Sequence, residues 1–319
     1  MLVPEGKIDN RKVYTEQGIW PFVITGTHPY PETIRKIINE NGSDGTVRVP
    51  AANLNARGVT IDFAANETSP ELRPWGSRCD FTIPLAVLAD RSHSSIKDPK
   101  GADVDDVSTE TRNKLGKLIL EALNCEDFNK YKSIFDTWSL ISEETASLIN
   151  ENKRNDFFQG QEKSPEIFHQ YMQVNVYVVD DHGADVADYF LEFSEQDGDD
   201  ENNEPTIYFH SEVLEHVHKN SENPSYRCLF IDRTDLLNEF YKKIEATIEK
   251  VLTMSISATP PGDNIHYFLN TDKGAAGVIP VHCEDDSITQ RWLQRSTTHF
   301  VKIIIPRVPE QKVFELKRA

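Results

Sequence analysis

An aspartate and a histidine in two similarly built loops are the residues of this chain best suited to chemistry. Asp44 lies in the glycine-flanked segment 41–47, after the apolar run 21–26, and His93 follows the apolar run 83–89. A serine hydroxyl becomes a strong nucleophile only when an imidazole accepts its proton and a carboxylate orients that imidazole. An aspartate after one strand and a histidine after a later strand therefore predict the acid–base pair of a site that activates a serine hydroxyl.

Each of these residues also has an ordinary structural explanation. Asp-Gly is a common turn dipeptide, and a histidine between serines can be a solvated loop residue. It is the combination of the two loops that favours a catalytic pair. The adjoining Ser92, Ser94 and Ser95 do not stand in the strained strand–turn–helix elbow that exposes a nucleophile, so they are not expected to be the attacking group.

The two loops resemble those of the α/β-hydrolase superfamily, in particular its lipase-like members. There the acid often stands in a Ser-Asp-Gly-Thr-Val type of loop and the histidine in an Asp-x-x-His-Ser-x-Ile type of loop, and Asp44 and His93 match these positions. The resemblance covers residues 18–125 and implies that Asp44 is the triad acid and His93 the general base. It also implies hydrolysis of a carboxylic ester without a cofactor, and the style of the acid loop suggests a lipid ester.

The nucleophile that this resemblance implies is expected to come from outside the chain. The family places the nucleophile before the acid, and no Gly-x-Ser-x-Gly occurs among the 319 residues. We therefore predict the C-terminal part of a hydrolase, whose N-terminal half belongs to the same gene or to a separate chain. An alternative of a different class stays open. In it a degenerate hydrolase lobe plus a β-sandwich is a non-catalytic interaction module that docks a protein or membrane partner.

Composition argues against other classes of function. The net charge of −18 disfavours a nucleic-acid partner, because such binding depends on Lys and Arg that neutralise phosphates. The four cysteines are far apart without C-x-x-C spacing, which is typical of reduced thiols in a cytoplasmic protein. Residues 1–7 lack the form of a signal peptide, but a preceding segment could carry one.

The predicted fold class is α/β plus all-β, with the C-terminal portion of an α/β-hydrolase lobe followed by an antiparallel β-sandwich-like domain. We place the lobe at 1–150, a polar linker at 151–164 and the sandwich at 165–319. An incomplete parallel sheet exposes an edge and apolar faces, so the lobe is expected to need its missing half, the sandwich or another copy of the chain, as in a homo-oligomer. Periodicity predicts lobe strands over 20–26, 59–63 and 84–89 and helices over 33–39, 109–125 and 128–149.

The second half of the chain is predicted to consist mainly of short strands. Apolar residues alternate over 172–178, a turn follows at 180–183, and 189–193 returns, which predicts a β-hairpin. A short helix is expected over 234–241. Turn signals separate the other predicted strands, at 206–210, 226–231, 251–258, 265–269, 278–282 and 300–306.

No metal site is predicted. His216 and His218 would share one face of a strand, with His210 nearby, but no cysteine or carboxylate stands at a convincing ligand spacing. The acidic run 195–204 lacks the glycine and glutamate positions of a calcium loop. It is expected to be a solvated, mobile hairpin loop.

Overall fold

The computed structural model describes most of the chain, with gaps. The described residues are 2–3, 12, 14–28, 40–66, 70–77, 79–98, 114–155, 168–195, 204–243, 252–262, 265–268, 277–281 and 294–309. The predicted helix at 33–39 and all but the two end residues of the acidic run 195–204 lie outside these ranges.

The described elements are fifteen strands, six α-helical segments and two π-helical turns. The strands are β1 (Leu2–Val3), β2 (Val23–Gly26), β3 (Arg57–Asp62), β4 (Glu71–Pro74), β5 (Gly76–Ser77), β6 (Leu85–Leu88), β7 (Tyr171–Asp180), β8 (Tyr189–Glu195), β9 (Leu214–Lys219), β10 (Tyr226–Asp232), β11 (Leu252–Ala258), β12 (Ile265–Tyr267), β13 (Gly277–Val281), β14 (Thr298–Ile305) and β15 (Arg307–Pro309). The helical segments are α1 (Val49–Ala52), α2 (Lys114–Leu123), α3 (Phe128–Asn155), α4 (Glu204–Tyr208), α5 (Arg233–Asp235) and α6 (Tyr241–Lys243), with π-helical turns at Phe209–Val213 and Leu236–Phe240.

Strands β2 and β6 form a parallel pair that two helices cover. Both strands and both helices lie where the apolar runs and the helical periodicity predict them. The apolar side of β6 and the apolar stripes of α2 and α3 bury one another, as expected for amphipathic helices on a parallel sheet. The buried residues of this cluster are Ala86, Leu88, Leu115, Leu118, Ile134, Trp138 and Ile141.

Helix α3 also caps the edge of β6 that faces away from β2. The Oγ of Ser142 accepts the N–H of Val87 at 3.1 Å and lies 2.9 Å from the carbonyl oxygen of Leu85. The Oγ1 of Thr145 donates to the carbonyl oxygen of Val87 at 2.7 Å. Because side chains occupy these backbone groups, no further strand can pair with this edge of β6.

The larger core lies between two other sheets. One has six strands in the order β4-β3-β14-β7-β10-β9, and the other has three in the order β13-β11-β8. Alternate residues of both sheets point into a common hydrophobic cluster, as the period of two requires. Among the most buried are Ile61, Met172, Val178, Phe209, Ile231, Phe240, Leu252, Ile256, Ile303 and Ile305.

Three sequence predictions for this region are wrong. β7 and β8 do not form a hairpin: β7 pairs with β10 and β14, whereas β8 pairs with β11 in the other sheet. The six-stranded sheet is not purely antiparallel, since β14 runs parallel to both β3 and β7. The predicted strand 206–210 is helical. An alternating pattern and turn residues identify strands and chain reversals, but they do not identify which strand pairs with which. A segment of five residues, such as 206–210, is too short for its pattern to distinguish a strand from a helix.

Elements from both sides of residue 150 share the six-stranded sheet. β3 and β4 precede this position, and β7, β9, β10 and β14 follow it. Residues 151–155 of the predicted linker continue α3. The division into two units stays a prediction, but β3 provides a direct connection between the two parts. None of the helices in the described ranges is long and apolar enough to cross a membrane.

Candidate active site

The parallel pairing of β2 and β6 brings two loops to one edge of the sheet. The carboxyl ends of parallel strands lie together, which is where α/β proteins commonly place functional residues. Pairing continues beyond the strands, because Thr27 N–H donates to the carbonyl of Leu88 and His28 N–H to the carbonyl of Arg91, both at 3.0 Å. The loop that follows β6 and carries His93 is therefore held against the end of β2.

The side chain of Asp44 is buried and anchored through one oxygen. Its Oδ1 accepts the backbone N–H groups of Thr46 at 3.0 Å and Val47 at 2.7 Å. The residue is only 4% exposed. Two backbone hydrogen bonds to one carboxylate oxygen fix the orientation of the side chain. The second oxygen, Oδ2, remains available to a partner.

That partner is His93. Its Nδ1 lies 3.1 Å from Oδ2 of Asp44, and its backbone N–H donates to the carbonyl oxygen of Asp44 at 2.7 Å. A carboxylate at Nδ1 favours the tautomer that carries its proton on Nδ1, which leaves the lone pair on Nε2. The imidazole side chain is 47% exposed. The structure therefore brings together the two residues selected from the sequence, and no residue in the described ranges hydrogen-bonds to Nε2.

The buried side chain of Arg91 stabilises the loop that carries His93 by hydrogen bonds to its backbone. Its side chain is fully buried, and Nη1 donates to the carbonyl oxygens of Asp98 at 2.7 Å and Ser95 at 3.4 Å. Ser95 adds a further contact, since its Oγ accepts the N–H of Ser92 at 3.0 Å. A guanidinium offers five donors in a fixed plane, which suits it to holding several carbonyls of one loop. The sequence analysis missed Arg91, because its carbonyl partners are defined only once the loop has folded.

Two glycines permit close approaches that the site requires. Gly42 has φ +64°, and a Cβ there would lie 2.0 Å from the ring of Tyr171. A Cβ at Gly26, the last residue of β2, would lie 1.8 Å from the carbonyl oxygen of Arg91. Distances this short are sterically forbidden, so both the acid loop and the histidine loop depend on the absence of a side chain.

The described residues contain no serine hydroxyl that hydrogen-bonds to His93. The Oγ atoms of Ser92 and Ser94 lie 3.1 Å from each other. Ser92 is buried and belongs to the turn after β6, so it does not occupy the strand–turn–helix position of a nucleophile. In the described part of the chain, the contacting pair Asp44 and His93 therefore has no serine hydroxyl at hydrogen-bonding distance.

The histidines considered for metal binding do not converge. His216 and His218 lie on the exposed edge strand β9, with ring centroids 6.5 Å apart. His210 lies in the π-helical turn after α4, where Nε2 accepts the N–H of Phe193 at 3.3 Å and burial lowers the pKa of the imidazole. His210 therefore serves the packing of the core.

Within the described ranges, two other clusters contain residue types that can bind metals, but their carboxylates already have structural partners. Asp232 accepts the N–H groups of Thr234 and Asp235 at the start of α5 and lies 2.5 Å from Nδ1 of His169. In the second cluster, Oδ1 of Asp180 accepts two backbone N–H groups of the turn that follows β7. These geometries are those of a helix cap and a turn.

Comparison with known proteins finds the same fold in two solved structures. These are the phospholipase PlaB from Legionella pneumophila, and the same protein in complex with thio-NAD. Both have a TM-score of 0.68 and 18% identity over 94% of this chain, which spans 59% and 61% of those chains. This likeness shows a shared mixed α/β fold with several sheets. No protein-family model and no curated protein matches the chain.

Proposed function

We propose that this chain provides the acid–base part of a serine hydrolase that cleaves a carboxylic ester. The observation that supports the proposal most strongly is the contact between Asp44 Oδ2 and His93 Nδ1 at the carboxyl edge of β2 and β6. A lipid ester is the favoured substrate, because two of the similar solved structures are of a phospholipase. In this proposal, Asp44 is the orienting acid and His93 the general base.

The proposed reaction proceeds through an acyl-enzyme. Nε2 of His93 accepts the proton of a serine hydroxyl while the serine oxygen attacks the ester carbonyl carbon. The resulting imidazolium, stabilised by Asp44, gives this proton to the departing alcohol as the ester bond breaks. Water then attacks the acyl-enzyme, with His93 again as base, and releases the carboxylic acid and the serine.

The serine is proposed to come from a segment or chain that pairs with the free edge of β2. Ser142 and Thr145 cap the far edge of β6, and no described strand pairs with the far edge of β2. Unpaired strand edges are sites at which another strand can add. A strand added beside β2 would end at the same edge as the Asp44 and His93 loops if it ran parallel to them.

The test is esterase activity of the protein expressed together with the coding sequence that precedes Met1. His93→Ala should reduce the hydrolysis of a p-nitrophenyl ester at least about 10³-fold. His182→Ala is the matched control, because His182 is another exposed histidine whose Nδ1 lies 2.9 Å from an aspartate, Asp181. Its activity should stay close to wild type.

Two results would count against the proposal. If His93→Ala retains activity within a few-fold of wild type, His93 is not the base. If the wild-type assembly has no esterase activity and does not react with a serine-directed fluorophosphonate, the non-catalytic interaction module becomes the better interpretation.

A further inference from the structure

A cavity of about 570 Å³ lies at the opposite end of β6 from the His93 loop. Phe81 and Ile83, which immediately precede β6, line it together with residues at the amino-terminal ends of β3 and β14. His93 follows the other end of β6, so the cavity is separate from the candidate active site. Its volume is in the range of small-molecule pockets.

Three polar side chains of the cavity wall, Asn55, Trp75 and Cys79, already have partners within the protein, whereas the buried Nδ1 of His299 has none. Asn55 exchanges hydrogen bonds with the backbone of Ile83, donating and accepting at 2.8 Å. The indole Nε1 of Trp75 donates to Thr60 at 2.9 Å, and the thiol of Cys79 bonds to a backbone carbonyl at 2.9 Å. These three side chains therefore have fewer hydrogen bonds to offer a ligand, and the apolar side chains of the wall provide the rest of its contact surface.

Large apolar side chains of this wall are also exposed. Leu72 is 43% exposed, Leu54 is 39% exposed, and Phe300 is 36% exposed with its ring stacked on Trp75 at 6.4 Å. Exposed apolar groups that continue into a cavity are typical of sites that bind an apolar ligand. An elongated hydrocarbon would cover these side chains and fill the interior.

The wall carries one unpaired positive charge. Arg57, at the start of β3, is exposed and forms no hydrogen bond or ion pair in the described part of the chain. The nearby Asp80 is engaged by Lys12 at 2.9 Å. Burial, assisted by the charge of Arg57, lowers the pKa of His299 to about 4, so this imidazole adds no charge at neutral pH. The electrostatic preference of the cavity is therefore for an anion near Arg57.

We propose that this cavity binds the hydrocarbon chain of a long-chain carboxylate, whose headgroup pairs with Arg57. An apolar tail matches the exposed side chains of Leu54, Leu72 and Phe300, and a single anionic head matches the unpaired cation Arg57. A nucleotide fits less well, because Asn55, Trp75 and Cys79 already use the hydrogen bonds that its base would need from them. This proposal does not depend on the hydrolase assignment, since binding can be measured without any hydrolysis.

The test is calorimetric titration of the purified chain with laurate below its micelle concentration, with dodecanol and acetate as probes that lack the charge or the tail. Laurate should bind saturably and acetate should not. Arg57→Gln should weaken laurate binding roughly tenfold and change dodecanol binding by less than about twofold. Arg307→Gln is the charge control, because Arg307 lies beyond the other end of β14; it should bind laurate like wild type.

A second variant tests the cavity itself. Leu72→Trp places a larger side chain on the edge strand β4 and should abolish the binding of laurate and dodecanol alike. Leu140→Trp, at an exposed leucine of α3, should leave both unchanged. The proposal fails if laurate does not bind saturably, or if Arg57→Gln binds laurate like wild type. It also fails if Leu72→Trp still binds laurate, or if AMP displaces laurate from the wild-type protein. Thermal melts of each variant confirm that it is folded.

Discussion

Asp44 contacts His93 through both its side chain and its backbone. The carboxylate Oδ2 lies 3.1 Å from Nδ1 of the imidazole, and the carbonyl oxygen accepts the backbone N–H of His93 at 2.7 Å. The backbone contact sets the position of the histidine loop, whereas the side-chain contact sets the tautomer of the ring. A substitution that changes only the carboxylate therefore separates the two effects.

Asp44→Asn should abolish proton transfer while preserving the loop. The amide oxygen of Asn can still accept the N–H groups of Thr46 and Val47, but its NH₂ group would face Nδ1 of His93. The ring would then carry its proton on Nε2, where it cannot accept one from serine. Ester hydrolysis by the assembled enzyme should fall about 10³–10⁴-fold, with a melting temperature close to wild type.

Asp44→Ala provides the contrast to this variant. It removes the acceptor for two backbone N–H groups and should also destabilise the fold by about 1–3 kcal/mol. Chemical denaturation of both variants measures the difference. Equal stability losses in Asp44→Asn and Asp44→Ala would contradict the separation of roles between the two carboxylate oxygens.

Gly42→Ala should damage the acid loop by a steric contact with Tyr171, the first residue of β7. Gly183→Ala is a matched control, since Gly183 also has a positive φ, +82°, but a Cβ there would meet nothing within 4 Å. Left-handed strain alone costs about 1–2 kcal/mol, and the clash adds about 1–3 kcal/mol. In urea denaturation, Gly42→Ala should therefore be the less stable variant, and equal stabilities would contradict the clash.

The sequence was sufficient to predict the contact between Asp44 and His93, but it was not sufficient to predict the pairing of the strands in the larger sheets. Asp44 and His93 each follow an apolar run, and parallel strands bring such loops together, so local patterns were sufficient. The pairing of β3 with β14 depends on contacts between distant segments, which periodicity does not encode. The role of Arg91 was hidden for a similar reason, because its carbonyl partners are defined only once the loop has folded.

The capping of β6 by α3 predicts a specific stability difference between two serines of one helix. Ser142→Ala leaves the buried N–H of Val87 without an acceptor, which should cost about 1–3 kcal/mol. Ser139→Ala is the control, because Ser139 Oγ bonds only to the carbonyl of Phe135 within α3; its cost should stay below about 0.5 kcal/mol. The free energies of unfolding from denaturant titrations make the comparison. Equal losses would show that the hydroxyl of Ser142 does not cap the strand.

The buried His299 should make the folded state sensitive to mild acid. Burial, the largest cause, and the charge of Arg57 lower the pKa of its imidazole from 6.5 to about 4. The unfolded chain therefore binds a proton below about pH 6.5 that the folded chain does not bind until about pH 4. Because the unfolded state holds more protons in this window, stability should decrease as the pH falls through it, by about 3 kcal/mol in total.

His299→Gln should remove this contribution to the pH dependence. Unfolding free energies at a series of pH values between 7 and 4 should decrease less steeply for the variant than for wild type. His216→Gln, at an exposed histidine of β9, serves as the control and should retain the wild-type slope. If His299→Gln and wild type lose stability in parallel across this range, His299 is not held neutral in the fold, and the single-cation description of the neighbouring cavity would also be wrong.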